Sequence, residues 1–177
     1  EDSIKDSLND EVTHMNNMLN EYLEFYSIEK KNLPLDVDPI ESINKIRNDI
    51  NFRNKDIEIN ITNNSVSKVN ANFFDRIIIN LLNNSFVFAT QVKIFIDITE
   101  KIIKINIHDN GIGIPENEKE NVFKPLYRID KSRNQNSGNT GLGLSISKSL
   151  LSKINGTIKL KDSFLGGLEV QIEIQNK

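Results

Sequence analysis

The residues best suited to chemistry in this sequence lie in two glycine-containing segments. In the first, Asp109 precedes Gly111 and Gly113, and the second reads Thr-Gly-Leu-Gly-Leu over residues 140–144. A carboxylate at a strand end can accept a hydrogen bond from an adenine amine, and glycines let backbone approach a nucleotide closely. A helix that begins after the second segment would offer free N–H groups to a phosphate. The two segments together predict a nucleotide pocket.

Two amides on the helix upstream fit the same pocket. Asn80 and Asn84 are one helical turn apart and therefore share a helix face. An amide oxygen can ligate Mg²⁺, a hard cation that takes one or two protein ligands beside phosphates and water. The sequence therefore predicts a magnesium-nucleotide site with Asn84 as the metal ligand.

Asp109 has two interpretations. It ends a predicted strand in which Ile103, Ile105 and Ile107 alternate with polar residues, so its side chain falls on the apolar face. A buried carboxylate needs a donor, and the exocyclic amine of adenine is a suitable one. The alternative is an aspartate that caps the turn formed by the following Asn-Gly. The residues alone leave both open.

Other phosphate-binding motifs and other classes of function are excluded. No Gly-Lys-Ser/Thr follows the glycines, as a Walker P-loop needs, and no βαβ unit surrounds them, as a Rossmann fingerprint needs. A net charge of -3 and a pI near 5.5 disfavour nucleic acid as a partner. The absence of cysteine excludes disulfides and thiolate metal sites. No apolar run approaches the roughly 20 residues of a membrane span, so we expect a soluble chain. The sequence begins at Glu1 without an initiator Met and with a helical pattern already present, so we expect it to be part of a longer protein.

The spacing of apolar residues predicts the elements that position the pocket. Residues 1–30 carry the stripe of a coiled-coil-like helix, 31–38 form a linker, and 39–177 form one domain. The predicted helices span about 40–52, 72–88 and 142–155, and the predicted strands about 56–62, 92–99, 102–109, 157–161 and 168–174. The buried face of the first helix includes Ile50, and that of the second includes Phe73 and Phe88. Gly166-Gly167 predicts a turn between the last two strands. Residues 115–139 are polar and predict a mobile lid. These elements predict an α+β fold, a two-layer α/β sandwich.

Four motifs in this chain resemble the N, G1, F and G2 boxes of sensor histidine kinases, in that order. They occupy residues 80–84, 109–113, 123–126 and 140–144. The resemblance covers about residues 36–177, and residues 1–30 resemble the second helix of the family's dimerisation and phosphotransfer hairpin. Residues 123–133 are most similar to the osmosensor-type kinases.

The resemblance implies a Bergerat-type (GHKL) fold that binds ATP and Mg²⁺ and transfers the γ-phosphoryl group to histidine. Asp109 would read adenine, Asn84 would bind Mg²⁺, and Arg128 on the lid would approach the phosphates. The implied site comprises Asn80, Asn84, Phe88, Asp109, Gly111, Gly113, Ile114, Arg128, Thr140, Gly141, Leu142 and Gly143. The implied partners are a phosphoacceptor helix and a response regulator, with a homodimer in the full-length protein and no nucleic acid. The parent protein is expected in the bacterial inner membrane, with this part in the cytoplasm.

The chain departs from the family pattern at a few positions. Val87 stands where a Lys or Arg is usual, so Arg128, Lys131 or Arg133 would have to supply that phosphate contact. Asn139 replaces the first glycine of the G2 box, and Asn tolerates the left-handed backbone better than most residues. Ser85 replaces the usual Ala, and Leu126 replaces the usual Phe.

Neither histidine of the chain suits the phosphoacceptor role. His14 is followed by Met15 rather than by an acidic residue, and His108 lies on the polar side of its strand. The acceptor is therefore expected on a helix absent from this sequence.

Two alternative functions remain open. One is an ATP hydrolase of the same fold, although Asn80 stands where such enzymes place a Glu to activate water. The other is a degenerate nucleotide-binding or docking module without catalysis.

Overall fold

The computed structural model describes residues 12, 13, 15, 16, 19, 23, 35–129 and 140–176. Within residues 1–30, Val12, Met15, Leu19 and Leu23 are helical and exposed. Most of residues 1–30 lie outside the described residues, so the coiled-coil-like stripe stays a prediction. None of the described helices is long and apolar enough to cross a bilayer.

A five-stranded sheet forms one layer of the domain. The strands are β1 (Asp56–Asn64), β2 (Gln91–Ile98), β3 (Ile102–Asp109), β4 (Gly156–Asp162) and β5 (Leu168–Gln175). Their order in the sheet is β1-β2-β3-β5-β4, in which β1 pairs parallel with β2 and the other neighbours pair antiparallel. The last residue of β3, Asp109, lies opposite Val92 near the start of β2.

Helices α1 (Pro39–Arg47), α2 (Ala71–Phe88) and α3 (Gly143–Lys153) form the second layer and cover one face of the sheet. Period-two alternation sends every second strand residue into that layer, and Ile94, Ile96, Ile105 and Ile107 are completely buried there. The opposite face carries mainly polar side chains, together with Phe95. The predicted α+β two-layer sandwich is confirmed.

Helix α1 ends earlier than the sequence predicted. The Asp38 side chain caps its N-terminus, and Pro39 occupies the first turn, where its missing N–H costs nothing. The helix stops at Arg47 because the carboxylate of Asp49 accepts a hydrogen bond from the Asn51 N–H, at 3.0 Å, and so favours a turn. Ile50 was predicted on the buried face, but it is 70% exposed beyond the end of the helix.

Helix α2 has the predicted length but a rotated buried face. The Asn70 side chain caps it by accepting a hydrogen bond from the Phe73 N–H at 3.0 Å. Phe74 is completely buried in place of the predicted Phe73, which is half-buried. Phe88, also predicted in the core, is 51% exposed at the last turn of the helix. That exposure leaves its ring available at the end of β3.

Candidate functional site

Asp109 lies at the centre of the candidate site and is only 5% exposed. Its Oδ1 accepts hydrogen bonds from the backbone N–H of Gly111, at 2.9 Å, and of Leu168, at 3.0 Å. The turn-capping role that the sequence left open is therefore present. Both of these bonds end on one oxygen, and among the described residues none reaches Oδ2. The carboxylate can cap its turn and still accept a hydrogen bond from a ligand.

The first glycine segment folds tightly between Asp109 and the last turn of α2. A β-carbon on Gly111 would lie 3.1 Å from Asp109 Oδ1 and 3.2 Å from Phe88 Cβ, closer than most real contacts. Gly113 has a φ of +69°, a conformation that L side chains rarely adopt. Ile114, which follows, is half-buried and packs on the core. The predicted residues Phe88, Asp109, Gly111 and Gly113 therefore form one wall of the site.

The second glycine segment crosses the chain at Leu126. Gly141 has a φ of +71°, and Leu126 has a φ of +63°. The Leu126 N–H donates to the Gly141 carbonyl at 3.0 Å, and a β-carbon on Gly141 would lie 3.1 Å from the Leu126 carbonyl carbon. Thr140 is buried, and its hydroxyl accepts a hydrogen bond from the Leu142 N–H at 3.3 Å. At this crossing the described first part of the predicted lid therefore meets the segment that follows the lid.

Helix α2 joins the two glycine segments. The Asn80 amide donates to the Gly143 carbonyl at 3.5 Å, while Phe88, two turns later, lies against Gly111. At about 1.5 Å per residue the helix rises roughly 12 Å between Asn80 and Phe88. The second glycine segment and the wall around Asp109 are thus held at opposite ends of one helical span. An extended ligand can lie along that span.

Asn84 occupies the middle of that span. Its side chain is partly exposed, and no hydrogen bond joins it to another described residue. The described part of the chain holds no group of three or more His, Asp or Glu side chains that could bind a metal. A divalent ion here would therefore depend on the Asn84 amide, on water and on the ligand's own phosphates.

The start of the predicted lid is anchored to the domain. Two short 3₁₀ helices, Glu116–Glu118 and Asn121–Phe123, occupy this stretch. Between them the Lys119 ammonium binds Glu116, at 2.6 Å, and Asp162 at the end of β4, at 2.8 Å. Hydrogen bonds to these two carboxylates, the larger from Asp162, raise the pKa of Lys119. The anchored part of the lid therefore leads toward the site from a fixed position.

Tyr127 fixes the chain just before Arg128. The Tyr127 hydroxyl donates to Glu118 at 2.5 Å, and this hydrogen bond lowers the pKa of Glu118 and raises that of Tyr127. Arg128 is half-buried. Lys131 and Arg133, the alternative phosphate contacts, and Asn139 lie outside the described residues.

Gly167 contacts Asp109, although the sequence indicated no role for it beyond a turn. A β-carbon at Gly167 would lie 2.2 Å from Asp109 Oδ1 and 2.4 Å from the Gly111 nitrogen. No side chain fits there. The Gly166-Gly167 doublet was the available signal, but it gave no reason to place the turn beside the first glycine segment.

His108 lies on the polar side of β3, as predicted, but aromatic side chains cover it. Its ring centroid is 4.6 Å from that of Phe164 and 5.4 Å from that of Phe95. Burial lowers the pKa of His108, although Glu169, with its Oε1 3.9 Å from Nε2, opposes that shift. The imidazole faces away from the helical layer and from the pocket.

The sequence of this chain is similar to that of a known protein family. The family profile described as "Histidine kinase-, DNA gyrase B-, and HSP90-like ATPase" matches residues 69–177. The sensor histidine kinase CpxA of Escherichia coli (strain K12) is 33% identical over 104 residues, which cover 58% of this chain and 23% of that protein. The chain therefore spans about a quarter of that relative's length.

Solved structures of other proteins have a fold similar to that of this chain. The catalytic domain of histidine kinase ThkA, in a nucleotide-free form, matches with a TM-score of 0.65 and 23% identity over 77% of this chain and 91% of its own. Full-length ShkA in complex with AMPPNP matches with a TM-score of 0.74 and 16% identity over 100% of this chain and 39% of its own. At these identities the likeness concerns the fold alone.

Proposed function

Because the chain belongs to the family of histidine kinase-, DNA gyrase B- and HSP90-like ATPases, with an ATP-binding domain in residues 69–177, we propose that it binds magnesium-ATP as the catalytic part of a sensor histidine kinase. In the proposed reaction the γ-phosphoryl group of ATP passes to an imidazole nitrogen on a dimerisation helix outside this sequence, and ADP is released. A response regulator would then receive the phosphoryl group. The parent protein would be membrane-anchored, with this domain in the cytoplasm.

The observation that carries the proposal is the buried carboxylate of Asp109 at the edge of a glycine turn. Its Oδ1 is occupied by two backbone donors, which leaves Oδ2 to accept a hydrogen bond from the adenine amine. The exposed Phe88 ring beside Gly111 offers an apolar surface to the purine. This wall supports a site for a base rather than for a free phosphate.

The phosphates would lie toward the other end of the α2 span. Asn84 would hold Mg²⁺, which would neutralise phosphate charge when bound. The first backbone N–H groups of α3, near Gly143, would face the same phosphates. Phosphoryl transfer depends mainly on positioning and on charge stabilisation, so the reaction needs no general base among these residues. With Val87 replacing a basic residue, Arg128 is the proposed phosphate cation.

The side chain of Asn80 disfavours the hydrolase alternative. An amide has no useful basicity, and that of Asn80 donates to the Gly143 carbonyl, so it is not placed to activate water. We expect steady-state ATP hydrolysis by the pure chain to be negligible. We also expect no self-labelling from γ-labelled ATP, because His14 is not followed by an acidic residue and His108 is covered and faces away from the pocket. Sustained turnover would instead favour the hydrolase.

Calorimetric titration with AMPPNP, with and without Mg²⁺, tests the proposal. In Asp109→Asn the Oδ1 acceptor for Gly111 and Leu168 can be retained, while Oδ2 becomes an NH₂ that opposes the adenine amine. Because a hydrogen bond to a charged group is worth about 1.5–3 kcal/mol, we expect roughly 10- to 100-fold weaker binding.

The matched control is Asp97→Asn on the open face of the sheet, where Asp97 Oδ1 accepts a hydrogen bond from Asn63 at 2.7 Å. This variant should bind as the wild type does. A flat wild-type titration in both conditions would refute nucleotide binding and favour a docking module. Affinity that is unchanged by Asp109→Asn would refute the assigned role of the carboxylate.

A further inference from the structure

We propose that Gly167 is a positioning residue for the base-binding site: it holds the Asp109 carboxylate in place by allowing the start of β5 to lie directly against it. This inference rests on the proposed function, because it concerns the group that would read the base. It assigns a role in nucleotide selection to a turn that follows β4, remote in sequence from both glycine segments.

The contact between Gly167 and Asp109 leaves no room for a side chain. A β-carbon at Gly167 would meet Asp109 Oδ1 at 2.2 Å, the Gly111 nitrogen at 2.4 Å and the Asp109 carbonyl oxygen at 2.7 Å. The last two atoms are backbone, which cannot rotate away as a flexible side chain does. The Gly167 carbonyl oxygen is also the nearest atom to a β-carbon on Gly113, at 3.4 Å. Gly167 therefore touches both ends of the first glycine segment.

Hydrogen bonds fix the turn that carries Gly167. The Ser163 N–H donates to the Gly167 carbonyl at 2.9 Å, and the Gly166 N–H donates to the Ser163 carbonyl at 3.0 Å. Immediately after the turn, the Leu168 N–H donates to Asp109 Oδ1 at 3.0 Å. A shift of Gly167 would therefore displace one of the two donors that orient the carboxylate.

Aromatic packing holds the same turn from the open face of the sheet. The Phe164 ring packs against that of His108, with centroids 4.6 Å apart and the planes tilted by 52°, and meets Phe95 edge-on at 6.0 Å. His108 is the residue immediately before Asp109, on the opposite face of β3. The turn is thus held to His108 on one face and to Asp109 on the other, so its position and that of the carboxylate are set together.

A side chain at Gly167 should therefore impair recognition of the base through Asp109. The carboxylate would tilt or lose its Leu168 donor, and Oδ2 would no longer be aligned to accept a hydrogen bond from the adenine amine. The phosphate end of the site, near Asn84 and Gly143, is formed by α2 and α3 and would stay in place. The expected signature is a loss of preference for adenine that depends on the Asp109 carboxylate.

The experiment compares Gly167→Ala with Gly166→Ala, using ADP and GDP in calorimetric titrations with Mg²⁺. Gly166 has a φ of +97° but nothing within 4 Å of a β-carbon, so its alanine variant carries backbone strain without the clash. We expect roughly 10- to 100-fold weaker ADP binding in Gly167→Ala, with the preference for ADP over GDP reduced, because a charge-assisted hydrogen bond is lost. Gly166→Ala should bind ADP within about twofold of the wild type.

A double variant tests whether Gly167 acts through Asp109. If it does, adding Gly167→Ala to Asp109→Asn should weaken ADP binding by less than about twofold, since coupled residues are not additive. Full additivity would overturn the proposal, as would wild-type affinity in Gly167→Ala or an equal loss in Gly166→Ala. If the wild type itself binds no adenine nucleotide, the proposed function is refuted, and so is this inference, which rests on it.

A milder variant decides the matter if Gly167→Ala does not fold. Phe164→Ala removes an exposed ring that holds the turn from the open face. We expect it to fold and to weaken ADP binding by about threefold, because the turn is loosened without a clash. Unchanged ADP affinity in folded Phe164→Ala, in a chain whose Gly167→Ala variant does not fold, would overturn the positioning role.

Discussion

Alanine substitutions at Gly143 and Gly141 separate glycines that serve the fold from glycines that serve a ligand. A β-carbon on Gly143 would have Asn80 Cβ as its nearest neighbour, at 3.8 Å, which is an ordinary contact. Its φ is not among the positive values found in the described chain. No contact among the described residues therefore requires glycine at this position. Under the proposed function, glycine here would allow a ligand to approach the backbone closely at the start of α3.

The structure gives opposite stability effects for the two substitutions. Gly143→Ala should be neutral or stabilising by up to about 0.5–1 kcal/mol, because alanine is the better helix former. Gly141→Ala retains a φ of +71° and places a β-carbon 3.1–3.2 Å from Leu126 backbone atoms. The left-handed backbone costs about 1–2 kcal/mol and the tight contacts add to it, for a total of about 2–3 kcal/mol. At about 2–4 °C per kcal/mol, Gly141→Ala should melt roughly 4–12 °C lower.

The assay pairs thermal unfolding of the ligand-free variants with calorimetric titration of ADP and Mg²⁺. Gly143→Ala should melt at the wild-type temperature or up to about 4 °C higher. It should bind ADP at least about tenfold more weakly, a loss of about 1.4 kcal/mol or more. The reasoning is refuted if Gly143→Ala binds ADP as tightly as the wild type. It is equally refuted if Gly141→Ala melts with the wild type, since the crossing at Leu126 would then tolerate a side chain.

Two further predictions concern stability. Since Leu126 has a φ of +63°, Leu126→Gly should be more stable than Leu126→Ala by about 0.5–1 kcal/mol in urea unfolding, and the reverse order would show that the backbone there is unstrained. Burial lowers the pKa of His108 in the folded state. The contribution of His108 to the free energy of unfolding should therefore be complete above about pH 6.5, the pKa of the unfolded state, and should fall as the pH drops below it. His108→Gln should lack this decrease, and equal pH profiles for the two proteins would refute the assignment.

Much of the fold followed from local patterns. Alternation in β3 correctly predicted that Asp109 faces inward, because period two is strict in a paired strand. The resemblance to sensor histidine kinases is confirmed for the ATP-binding domain, while the osmosensor subgroup and the contacts of individual site residues stay predictions. The sequence could not show where α1 ends, because the turn at Asp49 competes with helix formation there.

The errors share a physical cause. The position of Phe88 beside Gly111 and that of Gly167 against Asp109 are set by pairing between elements distant in sequence. Apolar character alone placed Phe88 in the core, although the end of α2 leaves its ring at the surface. A Gly-Gly doublet indicates a turn but not the neighbour of that turn. Such contacts become visible only when the sheet order β1-β2-β3-β5-β4 is known.

The hydrogen bond between the Leu126 N–H and the Gly141 carbonyl has a consequence for sequence variation. The bond joins the Leu126 nitrogen and the Gly141 oxygen, 3.0 Å apart, and so closes the stretch between these two residues into a loop. The sheet and helices therefore do not depend on how many residues this loop contains. The closure entropy of a loop grows only logarithmically, by about 0.6 kcal/mol for each doubling of its length. Insertions and deletions in that interval can therefore accumulate at little thermodynamic cost to the sheet and helices.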